Sequence, residues 1–174
     1  RLNMVTILES AVFVCADDVR RFKRYAARGK PIFNPDSKRI QATISKRCRI
    51  IKELVTTLSK DGYMKDRLVS TCVALLSRPG CQRQAWHTDY DPHAIRKLSQ
   101  KPLGVIVALQ DSTYFHEYPS KRHVLNAGDA LIFEGDVVHA GSAYEAENVR
   151  VHAYIDSVHY VRPRDTTYLI GSPS

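Results

Sequence analysis

The apolar positions change their period once along the chain, near residue 65, and the change separates two textures. Before it, Val19, Phe22 and Ala26 fall on one side of a helical period behind Asp17, which can cap a helix that Gly29 stops. Cys48, Ile51, Leu54, Val55 and Leu58 repeat the spacing between Ser45 and Lys60, and Asp61-Gly62 closes a second predicted helix. Gly29 to Lys38, with two prolines, reads as a loop. Met4 to Cys15 is apolar enough for a strand without deciding for one.

After residue 65 the apolar residues come in short β-rich runs: Leu68 to Leu76, Gln82 to His87, Val105 to Leu109, Arg122 to Leu125, Ala130 to Phe133, Val137 to Ala140 and Val149 to Asp156. Pro79-Gly80, Pro92, Gly128-Asp129 and Gly135-Asp136 mark turns between them. Many short strands without intervening helices predict a mainly β fold, an antiparallel sandwich or jelly roll (double-stranded β-helix) backed by N-terminal helices. Residues 1–65 are expected to form the helical support and 66–162 the jelly-roll core of a single domain spanning 1–174.

Composition narrows the class. With 44% hydrophobic and 25% charged residues the chain is neither collagen-like nor disordered, and no apolar run approaches the roughly 20 residues of a membrane helix, so no membrane partner is expected. Cys15, Cys48, Cys72 and Cys81 lie far apart without a C-x-x-C pair, which suggests neither structural zinc nor a disulfide framework and makes an intracellular setting the expectation. The net charge of +8 is one-sided: residues 1–80 hold 17 Lys and Arg against 7 acids, the remainder 9 against 11. Such a basic half suits a polyanionic or acidic partner. It equally describes two solvated helix faces carrying Arg20, Arg21, Lys23 and Arg24, and Lys46, Arg47 and Arg49.

Trp86-His87-Thr88-Asp89 is the first candidate for chemistry. Strand alternation puts His87 and Asp89 on one side, where an imidazole nitrogen and a carboxylate oxygen can meet one cation. Chance supplies about half an H-x-D in a chain of this composition, so the motif needs a partner. The turns at Gly128-Asp129 and Gly135-Asp136 frame a strand and then present His139, which completes two histidines and one carboxylate, the facial set that leaves three positions of an octahedral Fe(II) open. Eleven residues later, Val149, Val151, Ala153 and Ile155 alternate with Arg150, His152, Tyr154 and Asp156, so one face is packed and the other polar. A guanidinium there is well shaped to hold a carboxylate through two parallel hydrogen bonds.

From Leu68 to Asp156 these residues resemble the Fe(II)- and 2-oxoglutarate-dependent dioxygenases, through Gln84-Ala-Trp-His-Thr-Asp-Tyr, the strand Gly104-Val-Ile-Val-Ala-Leu-Gln-Asp, the Gly-Asp-Ala-Leu-Ile-Phe turn-strand and the interval from His139 to Arg150. That interval looks like the phytanoyl-CoA hydroxylase and prolyl hydroxylase branches. The repair demethylases of the superfamily carry a second arginine six residues after the first, where this chain has Asp156. The resemblance implies a hydroxylase in which His87, Asp89 and His139 hold Fe(II) and Arg150 pairs with the distal carboxylate of 2-oxoglutarate. O2 and a peptide, protein or small-molecule prime substrate would be consumed with release of succinate and CO2, and ascorbate would support the iron. Tyr114, Ser142 and His152 are further candidates for the cosubstrate pocket, and Trp86 and Tyr90 for its substrate side. Two other readings use the same barrel: a metal cupin enzyme without 2-oxoglutarate, which has no need of Arg150, and a non-catalytic module binding nucleic acid or another partner through the basic half.

Overall fold

Alternation along residues 149–156 demands a packed face and a polar face, and the fold supplies both by setting helices against one side of a sheet and a second sheet against the other. The computed structural model describes residues 4–32, 36–163 and 166–170. In chain order the first elements are β1 (Val5–Leu8), α1 (Ala16–Ala27), β2 (Lys30–Pro31), β3 (Arg39–Thr43), α2 (Arg49–Lys60), β4 (Arg67–Ser77), β5 (His87–Thr88) and α3 (Pro92–Ile95). They are followed by β6 (Leu103–Ala108), β7 (Thr113–Glu117), β8 (Lys121–Leu125), β9 (Ala130–Glu134), β10 (His139–Gly141), β11 (Asn148–Ser157) and β12 (Tyr168–Leu169). A seven-stranded sheet runs β1-β9-β6-β11-β4-β3-β2 and a five-stranded sheet β12-β5-β10-β7-β8, with every pairing antiparallel. This is the mainly β jelly roll that the sequence predicts.

The helices cover the outer face of the larger sheet. Phe22 and Ala26 of α1 and Ile50, Ile51, Leu54 and Leu58 of α2 join Val149, Val151, Ala153 and Ile155 of β11 in one buried cluster. Each such side chain contributes about 1.5–3 kcal/mol when fully removed from water. On the inner face, Ile106, Ala108, Leu131 and Phe133 meet Phe115 and Leu125 from the smaller sheet and Val137 from the β9–β10 connection, and close one end of the sandwich. The other end stays open.

Several boundaries differ from the sequence expectation for identifiable reasons. Asp17 lies in the first turn of α1, whose N-cap is Cys15; Asp18 accepts from the Cys15 amide and takes the capping role. α2 begins at Arg49 behind Cys48. The loop expected over Gly29 to Lys38 contains β2 and ends against β3, and residues 33–35 lie outside the described residues. The first 65 residues therefore also give β1, β2 and β3 to the larger sheet. In the expected strand Gln82 to His87 only His87 pairs, in β5. β7 was not expected, because its Tyr, His and Glu mask the alternation of Thr113 and Phe115. Pro92 opens the short helix α3 capped by Asp91, where a turn was expected. Gly128 is required in its turn: φ is +94°, and a Cβ there would meet the Val12 carbonyl oxygen at 2.7 Å.

Candidate metal centre

The smaller sheet sets His87 and His139 directly opposite each other in the β5–β10 pair, with ring centroids 4.4 Å apart. His87 Nδ1 lies 2.8 Å from the Ala85 carbonyl and His139 Nδ1 2.9 Å from that of Val137. A carbonyl only accepts, so both Nδ1 atoms carry the proton and both Nε2 atoms present lone pairs. Asp89, one residue beyond β5, brings its carboxylate to the same place. Ligand atoms of His87, Asp89 and His139 all lie within 4.8 Å of one another, and all three residues are buried.

Electrostatics favours a cation here. Burial and the neighbouring His139 push His87 down to about 4, and burial also lowers His139, so both rings are neutral near pH 7. Burial alone opposes ionisation of Asp89, but attraction to the cationic forms of His152, His139 and His87 outweighs it and holds the carboxyl well below its usual range. His139 Nε2 stands 3.7 Å from Asp89 Oδ2 with no proton between them. Asp89 Oδ2 is buried without a hydrogen-bond partner, as is His152 Nε2, which lies 3.1 Å away at ion-pair distance but out of line for a hydrogen bond. Two imidazole lone pairs and a carboxylate oxygen converging in a dry site repel each other unless a divalent ion lies between them, and this donor set suits Fe(II).

A cavity of about 790 Å³ opens between the sheets and is lined by His87, Asp89 and His139 together with Arg150 and His152. Arg150, His152 and Tyr154 point into it from β11, as the alternation requires. Arg150 is buried, donates from Nη1 to Ser77 Oγ (3.1 Å) and Asn148 Oδ1 (3.2 Å), stacks over Tyr144, and has no acidic partner among the described residues.

The remaining candidates separate. Tyr114 lines the cavity, with its ring stacked on Tyr144. The Ser142 hydroxyl instead meets His116 Nε2 (3.1 Å) and the Ala143 carbonyl (2.9 Å), and it is not part of the lining. Trp86 packs edge-on against Tyr118 beneath Arg83, and Tyr90 is fully buried with its hydroxyl donating to Asp156 (2.8 Å); neither lines the cavity. Asp156 is thereby occupied in supporting Tyr90 and the Arg162 amide.

Arg39 and Arg162 line the cavity and escaped the sequence reading. Arg39 is fully buried. It donates to Ser77 Oγ (2.9 Å), Gln82 O (3.3 Å) and Ser142 O (2.6 Å), joining β3 to the chain entering β5 and the chain leaving β10. Burial and the adjacent Arg150 push its guanidinium down to about 10. The alternation Arg39-Ile40-Gln41-Ala42-Thr43 was the available signal. Gly141 fits beside this group because a Cβ would meet Gln84 Oε1 at 2.4 Å.

No family model matches the sequence, and comparison with curated proteins gives no match. Solved structures do match in fold. HygX from Streptomyces hygroscopicus, with nickel and 2-oxoglutarate bound, aligns over 93% of this chain and 86% of its own at 10% identity and a TM-score of 0.67. The epimerase SnoN, in complex with Fe3+, alpha ketoglutarate and nogalamycin RO, covers 89% and 79% at 11% identity and 0.67. The viral collagen prolyl hydroxylase of Paramecium Bursaria Chlorella virus-1, as its 2OG complex, covers 87% and 94% at 14% identity and 0.62. The chain thus has the jelly-roll fold that these proteins share.

Proposed function

We propose that this protein is an Fe(II)- and 2-oxoglutarate-dependent dioxygenase, and specifically a hydroxylase acting on a peptide, protein or small-molecule prime substrate with release of succinate and CO2. The observation that carries the reading is the meeting, in one cavity, of the His87, Asp89 and His139 ligand atoms with a buried Arg150 that has no acidic partner among the described residues. A metal cupin working without 2-oxoglutarate gives no account of that guanidinium. The shared fold and the bound 2-oxoglutarate of HygX support the same reading.

Iron, once bound with 2-oxoglutarate, supplies the activation of O2 that the protein cannot perform itself. The chain's residues prepare for it. His87 and His139 hold their Nδ1 protons on backbone carbonyls, which fixes both ring orientation and tautomer. Asp89 supplies the negative charge. Arg150, held by Ser77 and Asn148, offers its remaining N–H groups to the distal carboxylate of the cosubstrate, and Tyr114 walls the same region. Phe115 and Phe133 pack against His139 and keep water from that side of the site.

The basic N-terminal half enters this reading mainly through the cavity. Arg20 pairs with Asp17, Arg21 with Asp18, Lys23 with Glu147, and Arg49 with Asp18 and Glu53, so much of the charge on α1 and at the start of α2 is neutralised locally. Among the described residues no helix is long and apolar enough to cross a membrane. Incubation with Fe(II), ascorbate, O2 and labelled 2-oxoglutarate tests the proposal: succinate forms above background, and His87→Ala or Asp89→Ala abolishes it. Equal succinate from both variants and the parent would refute it.

A further inference from the structure

The cavity carries more positive charge than the proposed reaction uses. Its described lining includes Lys30, Arg39, Lys46, Arg150 and Arg162, and Asp89 is the only carboxylate among them. These cations stand at two poles. Alternate residues on a strand are about 6.5–7 Å apart, so Arg150, His152 and Tyr154 mark three successive levels on the inner face of β11. The ligand set occupies the middle level, where His152 reaches Asp89. Arg150 and Arg39 share Ser77 at the level on one side.

On the other side Arg162 lies 4.1 Å from the centre of the Tyr154 ring and donates from Nε to the Asp89 carbonyl (2.7 Å). Thr71 stands opposite Tyr154 across the β4–β11 pair, and beside it Lys46 reaches the Val69 carbonyl at 3.2 Å. Lys30, opposite Gln41, is in register with Leu75 and Arg150 and so belongs to the Arg150 level. Neither Lys46 nor Arg162 has an ion-pair partner among the described residues. Asp89 is committed to the metal, and the two carboxylates of 2-oxoglutarate are matched by that metal and Arg150. Among the described residues the outer pole therefore keeps its charge without a counterion.

We propose that the prime substrate is a small organic anion whose carboxylate or phosphate group docks between Lys46 and Arg162, with its body turned toward the metal ligands. The inference rests on the oxygenase reading and deepens it by naming the substrate class. A cavity of about 790 Å³ accommodates such a molecule beside the cosubstrate. The Thr71 hydroxyl lies next to the pole and adds a neutral donor, while the Ser70 hydroxyl is spent on the Tyr154 carbonyl (3.2 Å).

The test uses the whole protein loaded with Mn(II) and saturating 2-oxoglutarate, with loading measured first on the same sample. Phenyl phosphate and phenylacetate are then titrated by calorimetry, with benzyl alcohol as the neutral control. At least one anion should bind about tenfold or more tighter than benzyl alcohol and weaken with added salt. Lys46→Glu should reduce that affinity by about tenfold, and Lys46→Arg should preserve it. Loading followed by anion binding no tighter than that of benzyl alcohol, or unchanged by Lys46→Glu, overturns the inference and leaves the oxygenase reading standing. Failure to load the metal and 2-oxoglutarate overturns both.

Discussion

Arg39 and Arg150 donate to the same hydroxyl: Ser77 Oγ accepts from Arg39 Nη1 at 2.9 Å and from Arg150 Nη1 at 3.1 Å. Two buried guanidiniums brought to one neutral acceptor raise the local potential, and a dicarboxylate relieves it. Arg150→Ala should weaken 2-oxoglutarate binding by about 2–5 kcal/mol, the usual cost of leaving a buried charged group unpaired, while metal affinity stays at the parent value. Separate titrations with Mn(II) and with 2-oxoglutarate check this. A joint loss of both affinities would make Arg150 structural.

Arg39 serves the frame more than the ligand. Arg39→Met leaves the Gln82 and Ser142 carbonyls without their buried donor, so a loss of roughly 2–4 kcal/mol in unfolding free energy is expected. Urea denaturation of the metal-free protein measures it, and a change below about 0.5 kcal/mol would contradict the bracing role.

His152 would act through Asp89 on a metal held there. Its Nε2 faces Asp89 Oδ2 at 3.1 Å, and partners of this kind typically change metal affinity by about 10–100-fold. His152→Ala should lower Co(II) affinity within that range and alter the visible spectrum of the Co(II) protein, whereas His152→Gln, which keeps a donor, should recover most of both. An unaltered spectrum in the alanine variant would remove His152 from the centre.

The metal-free protein should lose stability in acid. His87 is held down to about 4 and His139 is also lowered, against roughly 6.5 in an unfolded chain, so between pH 6.5 and 4 the unfolded state takes up protons that the folded rings refuse. The contribution is intact above pH 6.5 and falls as pH drops. Asp89, held below its usual value, adds a further loss once the pH passes below about 4. Urea midpoints should therefore be lower at pH 5 than at pH 7.5, with the difference reduced in His87→Asn. A midpoint that rises on acidification would contradict the buried neutral histidines.

How far the fold and site can be read from sequence depends on what each residue answers to. The grouping of His87, Asp89, His139 and Arg150 in one cavity is legible because two strands and two turns fix them over short stretches of chain. β11 was legible for the same reason: its alternating faces pack on helices and line a cavity. Arg39 was not, because its partners Ser77, Gln82 and Ser142 lie 38 to 103 residues away and only the completed sheet brings them together. Ser142 and Tyr90 mislead in the opposite way. Each is close in sequence to a ligand, yet strand geometry turns the Ser142 hydroxyl to His116 and the Tyr90 hydroxyl to Asp156. All four cysteines are free thiols, and burial pushes the Cys72 thiol up to about 12.

Anaerobic titration of the parent protein and His139→Ala with Fe(II), followed by 2-oxoglutarate, tests the central claim most directly. The parent should bind one Fe(II) per chain and take up 2-oxoglutarate tightly only after the metal, and His139→Ala should lose both. Failure of the parent to bind either, or unchanged binding in His139→Ala, would contradict it.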